Sequence, residues 1–310
     1  MKNNIFNTEF NYFRGDLLTE ESNERSHNLD KMSTSELAEI FSKEDIEPQR
    51  AVAKSLPDIV NAIDSILLRV KSGGRLIYIG AGTSGRLGVL DASECPPTFC
   101  TPPDLIQGII AGGDSALKNS SEDLEDLDEI AIKDLQSIEF HCNDSLIGIT
   151  AGGTTPYVIS ALNYAKELGA LSISIACVPI HQIQLDSDID IRLLTGPELL
   201  TGSTRLKAGT ATKMTLNMIS TILMIRLGKV YGNKMVDLSV SNKKLADRAL
   251  RILIEIANVD RKEAERLLKV ADGSVKIALL MSLCSLDLKQ AKDVLSQNDD
   301  NLRSALIQAN

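Results

Sequence analysis

The sequence predicts an α/β protein built on a doubly wound, five-stranded parallel sheet, with an N-terminal helical arm and a small C-terminal all-helical module. Three observations carry this. Five short apolar-rich runs occupy the middle of the chain, at Leu76 to Ile79, Ile106 to Ala111, Leu146 to Thr150, Leu171 to Ala176 and Ile189 to Leu194. Runs of this kind are strands buried on both faces, as parallel sheets require. Helical stretches separate them, supplying the crossovers that parallel neighbours need. Beyond Ser241 only helical spacing remains.

Taken in order, residues 1 to 48 are polar and read as an arm, with a helix start at Ser33-Thr34-Ser35-Glu36 ahead of Leu37, Ile40 and Phe41. From Gln49 to Lys71, Val52, Leu56, Ile59, Val60, Ile63, Ile66 and Leu67 follow helical spacing, and Ser72-Gly73-Gly74 closes that helix. The crossover helices are expected at Ser84 to about Ala92, Ser121 to Ser137, Pro156 to Leu168 and from near Ser203 onward. Five C-terminal helices are expected near Lys243 to Ala257, Arg261 to Val270, Ser274 to Leu283, Leu288 to Ser296 and Asn301 to Ile307. The expected division is an arm over 1–48, an α/β domain over 49–240 and a helical module over 241–310.

Composition narrows the function classes. With 42 acidic and 33 basic residues the 310-residue chain carries a formal charge of −9, which disfavours non-specific nucleic-acid or anionic-membrane binding. Trp is absent and aromatics are 4%, so stacking platforms for single strands are not expected. The five cysteines are scattered without a CxxC pair, arguing against a disulfide framework or zinc site. Met1 to Asp16 has charges among its apolar residues and is not a signal peptide, and Met214 to Leu227 is too short and too interrupted by polar residues to span a bilayer. A cytoplasmic protein is expected. His27, His141 and His181 form no ligand pattern, and neither GxxxxGK[ST] nor GxSxG occurs. A metal site, P-loop chemistry and serine-hydrolase chemistry are therefore not expected.

The loops after the strands carry the chemistry. Gly80-Ala81-Gly82-Thr83-Ser84-Gly85 matches GxGxxG between a strand and a helix. A dinucleotide site would also want an acidic residue at the end of the second strand, and Asp104 and Asp114 fall before and after that place. The competing reading uses the Thr83 and Ser84 hydroxyls beside N–H groups at a helix N-terminus, which suit a phosphate monoester. A weak repeat supports it: Leu146-Ile147-Gly148-Ile149 leads into Thr150-Ala151-Gly152-Gly153-Thr154-Thr155, and a third hydroxyl-rich turn, Thr201-Gly202-Ser203-Thr204, precedes Lys207. Loops at the carboxyl ends of strands converge in an open α/β sheet, and together these favour a sugar phosphate. Singly, each is also explained as helix capping.

Two acidic features remain. In Asp91-Ala92-Ser93-Glu94-Cys95-Pro96-Pro97, two prolines fix the backbone just after Glu94, which reads either as a rigidly placed acid or base or as a helix-end carboxylate facing water. The run Ser121-Glu122-Asp123-Leu124-Glu125-Asp126-Leu127-Asp128-Glu129 reads as a helix first turn, capped by Ser120 or Ser121, whose carboxylates suit the dipole. One of them is also placed to face the cleft.

Leu76 to Phe99, together with GIIAGGDSAL, TTPYV and Leu200 to Met214, closely resembles the N-acetylmuramic acid 6-phosphate etherases. These are sugar isomerase (SIS) domain proteins related to the glucokinase regulatory protein. The resemblance runs from about Leu18 to the C-terminus. It implies a SIS core, a C-terminal module similar to a ubiquitin-associated domain, a homodimer, no metal or redox cofactor, and a lyase that releases D-lactate from the amino sugar to give N-acetylglucosamine 6-phosphate. By motif, Glu94 of DASECPPT is implied as acid/base and Glu125 as the second glutamate, with Glu122 as its rival. Gly82, Thr83, Ser84, Gly153, Thr154, Thr155, Ser203, Thr204 and Lys207 are implied to hold substrate and phosphate. Two departures stand out: Gly152 and Thr154 where relatives often have the Ser and Arg of ASGRTP, and Thr19-Glu20-Glu21-Ser22-Asn23-Glu24 where many have TEQRNP. The rival readings are a SIS sugar-phosphate isomerase and a non-catalytic sugar-phosphate sensor. A SIS transcription regulator is not expected, because residues 1–50 show no basic recognition helix.

Overall fold

The computed structural model describes residues 14–119, 126–238 and 243–309. The apolar runs form β1 (Leu76–Gly80), β2 (Ile106–Ile110), β3 (Ser145–Ile149), β4 (Leu171–Ala176) and β5 (Ile189–Arg192), arranged β2-β1-β3-β4-β5. The central strands β1, β3 and β4 are buried along their whole length, whereas β5 alternates buried and half-buried residues as an edge strand does. Parallel pairing puts Gly80 opposite Ile149 at the carboxyl ends of β1 and β3. Strand order reverses between these two strands, so their following loops flank the crevice where doubly wound sheets bind ligands. At the other end, Arg75 and the fully buried Asp144 are joined by a paired guanidinium–carboxylate contact of 2.7 and 3.1 Å.

The arm contributes α1 (Thr34–Glu44), opened by the expected capping box of Ser33 and Glu36. The single helix expected over Gln49 to Lys71 is instead two, α2 (Glu47–Lys54) and α3 (Leu56–Lys71). Pro57 has no N–H for the helix ladder, and the Ser55 hydroxyl turns to the carbonyls of Ala51 and Arg192 at the break. After β1, α4 (Gly82–Phe99) continues past the expected end at Ala92 and through Pro96 and Pro97. Proline's fixed φ suits a helix; what is lost is donation to the carbonyls of Ala92 and Ser93.

Glycines let α4 lie close on the sheet. A Cβ at Gly85 would come 2.5 Å from the Gly80 carbonyl oxygen, one at Gly88 2.8 Å from Tyr78 Cβ, and one at Gly108 of β2 2.5 Å from Val89 Cα. The glycine pattern is thus explained by helix–strand approach. The short α5 (Gly113–Lys118) was not expected; the Arg86 guanidinium donates to the carbonyls of Ala116, Leu117 and Asn119 at its end. Of the helix expected over Ser121 to Ser137, the described part is α6 (Asp128–Ser137), which follows an extended Leu127. Its expected caps, Ser120 and Ser121, lie outside the described residues. Next come α7 (Pro156–Glu167) and α8 (Lys207–Arg226).

Two compact units emerge. One runs to Leu90 and resumes over Gln107–Met218; the other comprises Asp91–Ile106 and the chain from Ile219. The second holds a hairpin of β6 (Val230–Tyr231) and β7 (Lys234–Met235), which was not expected, and α9 (Lys243–Ala257), α10 (Arg261–Val270), α11 (Val275–Leu283), α12 (Leu288–Gln297) and α13 (Leu302–Ala309). Leu253, Ala264, Ala278, Leu279, Ala291 and Ala305 are fully buried in its core. The buried Lys276 ammonium donates to Asp237 and to the Asp300 carbonyl. No helix among the described residues is long and apolar enough to cross a membrane.

Candidate active site

The turn from β1 into α4 is only Ala81 long, so Gly82, with φ +51°, must take the left-handed conformation that returns the chain onto the sheet. This sets Thr83 and Ser84, both half-buried, in the first helical turn, where N–H groups lack helical partners. Beside it, the loop after β3 reaches α7 through Gly153, at φ +72°, where a Cβ would meet Ile183 Cγ2 at 2.9 Å. Pro156 opens α7, and its N-cap Thr155 makes no side-chain cap, its hydroxyl lying 3.0 Å from that of Thr150 instead. Neither α4 nor α7 has an acidic residue in its first turn, so both N-termini keep their positive ends toward the crevice.

The third hydroxyl turn differs. Glu198, buried at 1% exposure, accepts from the backbone N–H groups of Lys207 and Ala208, at 3.0 Å each, and so neutralises the N-terminus of α8. Ser203 and Thr204 are half-buried just before it. The first turn of α8 approaches the first loop, since a Cβ at Gly209 would lie 3.5 Å from Thr83 Cγ2. The Lys207 ammonium is directed to Glu44 at 2.7 Å, both side chains being nearly fully buried, and Arg25 Nη1 reaches the other Glu44 oxygen at 2.6 Å. A cavity of about 430 Å³ opens beside this cluster. Burial pushes the Glu198 carboxyl up, the bonds from Ala208 and Lys207 opposing it. Burial acts the same way on Glu44, but the hydrogen bond and charge of Lys207, with Arg25 and Asn23, outweigh it and hold Glu44 below the ordinary carboxylate range.

The structure therefore brings Gly82, Thr83, Ser84, Gly153, Thr154, Thr155, Ser203 and Thr204 to neighbouring loops of one unit. Glu94 lies on the part of α4 assigned to the second unit and is exposed. Glu122 and Glu125 lie outside the described residues. Sequence reasoning missed Glu44 and Glu198, whose burial no local pattern announces.

Comparison with known proteins decides the family. The chain is 63% identical over 291 residues to the N-acetylmuramic acid 6-phosphate etherase of Prochlorococcus marinus (strain NATL1A), covering 94% of both chains. The etherase of strain MIT 9303 is 60% identical over 94% of this chain and 93% of its own. That of a further strain of the same species is 56% identical over 100% of this chain and 99% of its own. The chain belongs to the N-acetylmuramic acid 6-phosphate etherases. The model of the glucokinase regulatory protein N-terminal SIS domain matches residues 58–166, and that of the C-terminal lid domain of glucokinase regulatory protein matches residues 232–272. The first match spans β1 to α7, so the loops that carry Thr83, Ser84, Thr154 and Thr155 fall within the part of this etherase-family chain matched as SIS.

Proposed function

We infer that this enzyme is a lyase that cleaves the lactyl ether of N-acetylmuramic acid 6-phosphate, releasing D-lactate and N-acetylglucosamine 6-phosphate. The identity to the etherases over nearly the whole chain carries the reading. In the ring-opened sugar, the C1 aldehyde acidifies the C2 proton. A carboxylate removes that proton, the C3–O bond breaks with its electron pair leaving on the lactyl oxygen, which takes up a proton to become the lactate hydroxyl, and water then adds at C3 of the unsaturated aldehyde, giving up a proton as one returns to C2. Glu94 is assigned the acid/base role and Glu125 that of the second glutamate.

Thr83, Ser84, Thr154 and Thr155 are assigned to the phosphate, supported by two helix N-termini without first-turn acids. Gly82 and Gly153 shape those turns, and Ser203, Thr204 and Lys207 complete the binding set. Within this reading the enzyme acts as a cytoplasmic homodimer, with residues 241–310 as a separate helical module. Incubation with N-acetylmuramic acid 6-phosphate and assay of D-lactate tests it. Lactate stoichiometric with N-acetylglucosamine 6-phosphate is expected. Substrate binding without lactate would leave a sensor, and aldose–ketose interconversion of a sugar phosphate without lactate an isomerase.

A further inference from the structure

The N-terminal arm enters the crevice at one point. Its Leu17–Glu21 turn is fastened on both sides: Gln182 accepts from the Leu18 N–H at 3.0 Å and donates to the Asp16 carbonyl at 2.8 Å, while Leu17 packs with Ala176, Val178, Ile183 and Leu185. So held, the turn reaches two of the hydroxyl-bearing loops. A Cβ at Gly202 would lie 3.0 Å from Glu20 Oε2, and one at Gly152 would lie 3.7 Å from Thr19 Oγ1 and 3.6 Å from Thr154 Oγ1. Thr19 is 2% exposed, and its hydroxyl has no hydrogen-bond partner among the described residues. A buried hydroxyl without a partner is costly and calls for an explanation. Beside it, the backbone N–H groups of Thr154 and Thr155, at the entry to α7, also find no acceptor among the described residues.

We propose that Thr19 is a substrate-binding residue, its hydroxyl joining that of Thr154 on a phosphate oxygen of the sugar phosphate seated over the bare α-carbon of Gly152. The proposal rests on the sugar-phosphate reading of this crevice and extends it to the arm. Gly152 has no side chain to stand between the two hydroxyls and is itself half-buried, while the Thr19 hydroxyl beneath it is closed to solvent, so a ligand oxygen reaches it only past the bare α-carbon. A phosphate oxygen there has two O–H donors and the N–H groups of α7's entry to meet.

The test is Thr19→Val, which keeps the shape and removes the hydroxyl, read by calorimetric binding of N-acetylglucosamine 6-phosphate, by thermal unfolding, and by kinetics on N-acetylmuramic acid 6-phosphate. Affinity is expected to fall roughly tenfold and KM to rise in step, with kcat within about twofold. The melting temperature of the ligand-free protein is expected to rise by about 2–4 °C, because an unpartnered buried donor is gone. Thr19→Ser should restore affinity. Gly152→Ala is the second variant: its methyl makes only ordinary contacts of 3.6–4.0 Å in the protein but occupies the ligand's place, so it too should bind less tightly while folding normally. Wild-type affinity in Thr19→Val, or in Gly152→Ala should Thr19→Val not fold, overturns the proposal. If wild-type protein binds the sugar phosphate yet releases no lactate, the lyase reading fails while the binding measurements still decide Thr19.

Discussion

The Lys207 ammonium stands 2.7 Å from Glu44 Oε2, joining the first residue of α8 to the last residue of α1 across 163 positions of sequence. Both groups are nearly fully buried, and removing Lys207 takes away the buried partner of the Glu44 charge, leaving it only the exposed Arg25 and the Asn23 amide. Lys207→Ala is therefore expected to destabilise by about 3–5 kcal/mol in urea unfolding. A variant of wild-type stability would count against this ion pair as a source of the protein's stability.

The same cluster sets a pH dependence. Burial raises Glu44, yet the Lys207 bond and charge, with Arg25 and Asn23, bring it net below its ordinary value. A carboxyl lowered on folding adds stability that is fully present above its unfolded pKa and is lost as pH falls through the folded value. Wild-type stability should thus decline on acidification below the normal carboxylate range. Glu44→Gln should start lower at neutral pH and show a shallower decline there. Equal slopes between pH 5 and 3, measured by denaturant titration at each pH, would count against Glu44 as a source of that decline.

Gly85 lies in the first turns of α4, where a Cβ would stand 2.5 Å from the Gly80 carbonyl oxygen and 2.6 Å from Ile110 Cγ1. Backbone cannot yield as a flexible side chain does, so Gly85→Ala should cost about 1–3 kcal/mol through overpacking. Gly73→Ala is the contrast: nothing lies within 4 Å and only its left-handed φ of +86° is strained. Urea midpoints check the order, with Gly85→Ala expected to be the less stable.

Local pattern made the sheet legible. β4 spans the expected Leu171 to Ala176 because its apolar-rich run holds only small polar residues, Ser172 and Ser174, which are buried with it, and α9 and α10 likewise follow their helical spacing. The errors arise where proline chemistry and tertiary contact compete. Pro57 divides a continuous apolar stripe, whereas Pro96 and Pro97 fail to end α4. In the site, the Gly/Ser/Thr loops were legible because turns after parallel strands must lie at one end of the sheet. Glu198 capping α8, Glu44 holding Lys207 and Thr19 beneath Gly152 were not, since a polar side chain's burial is decided by partners far away in sequence.

Glu94 is exposed on α4, so replacing its carboxylate with an amide should leave the fold intact. Glu94→Gln is expected to reduce kcat for lactate release by about 10²–10⁴ while leaving the melting temperature and the affinity for N-acetylglucosamine 6-phosphate near wild type. Wild-type turnover would remove Glu94 from the acid/base role.

The bond that breaks is the most discriminating prediction, and it follows from where the substrate is acidic. Only the C2 proton lies next to the C1 aldehyde, so a carboxylate such as Glu94 finds a low barrier there. Attack of water on the lactyl carbon gains nothing from that carbonyl. Elimination breaks C3–O, so in ¹⁸O-labelled water the product sugar should carry label at C3, and lactate should keep the unlabelled ether oxygen. Hydration also returns a proton to C2 from a group in exchange with solvent, so reaction in deuterated water should leave deuterium there. Mass spectrometry of both products reads the two labels together. Label in the lactate hydroxyl with none at C3, and no deuterium at C2, would refute proton abstraction as the role of the glutamates even if Glu94 proved essential.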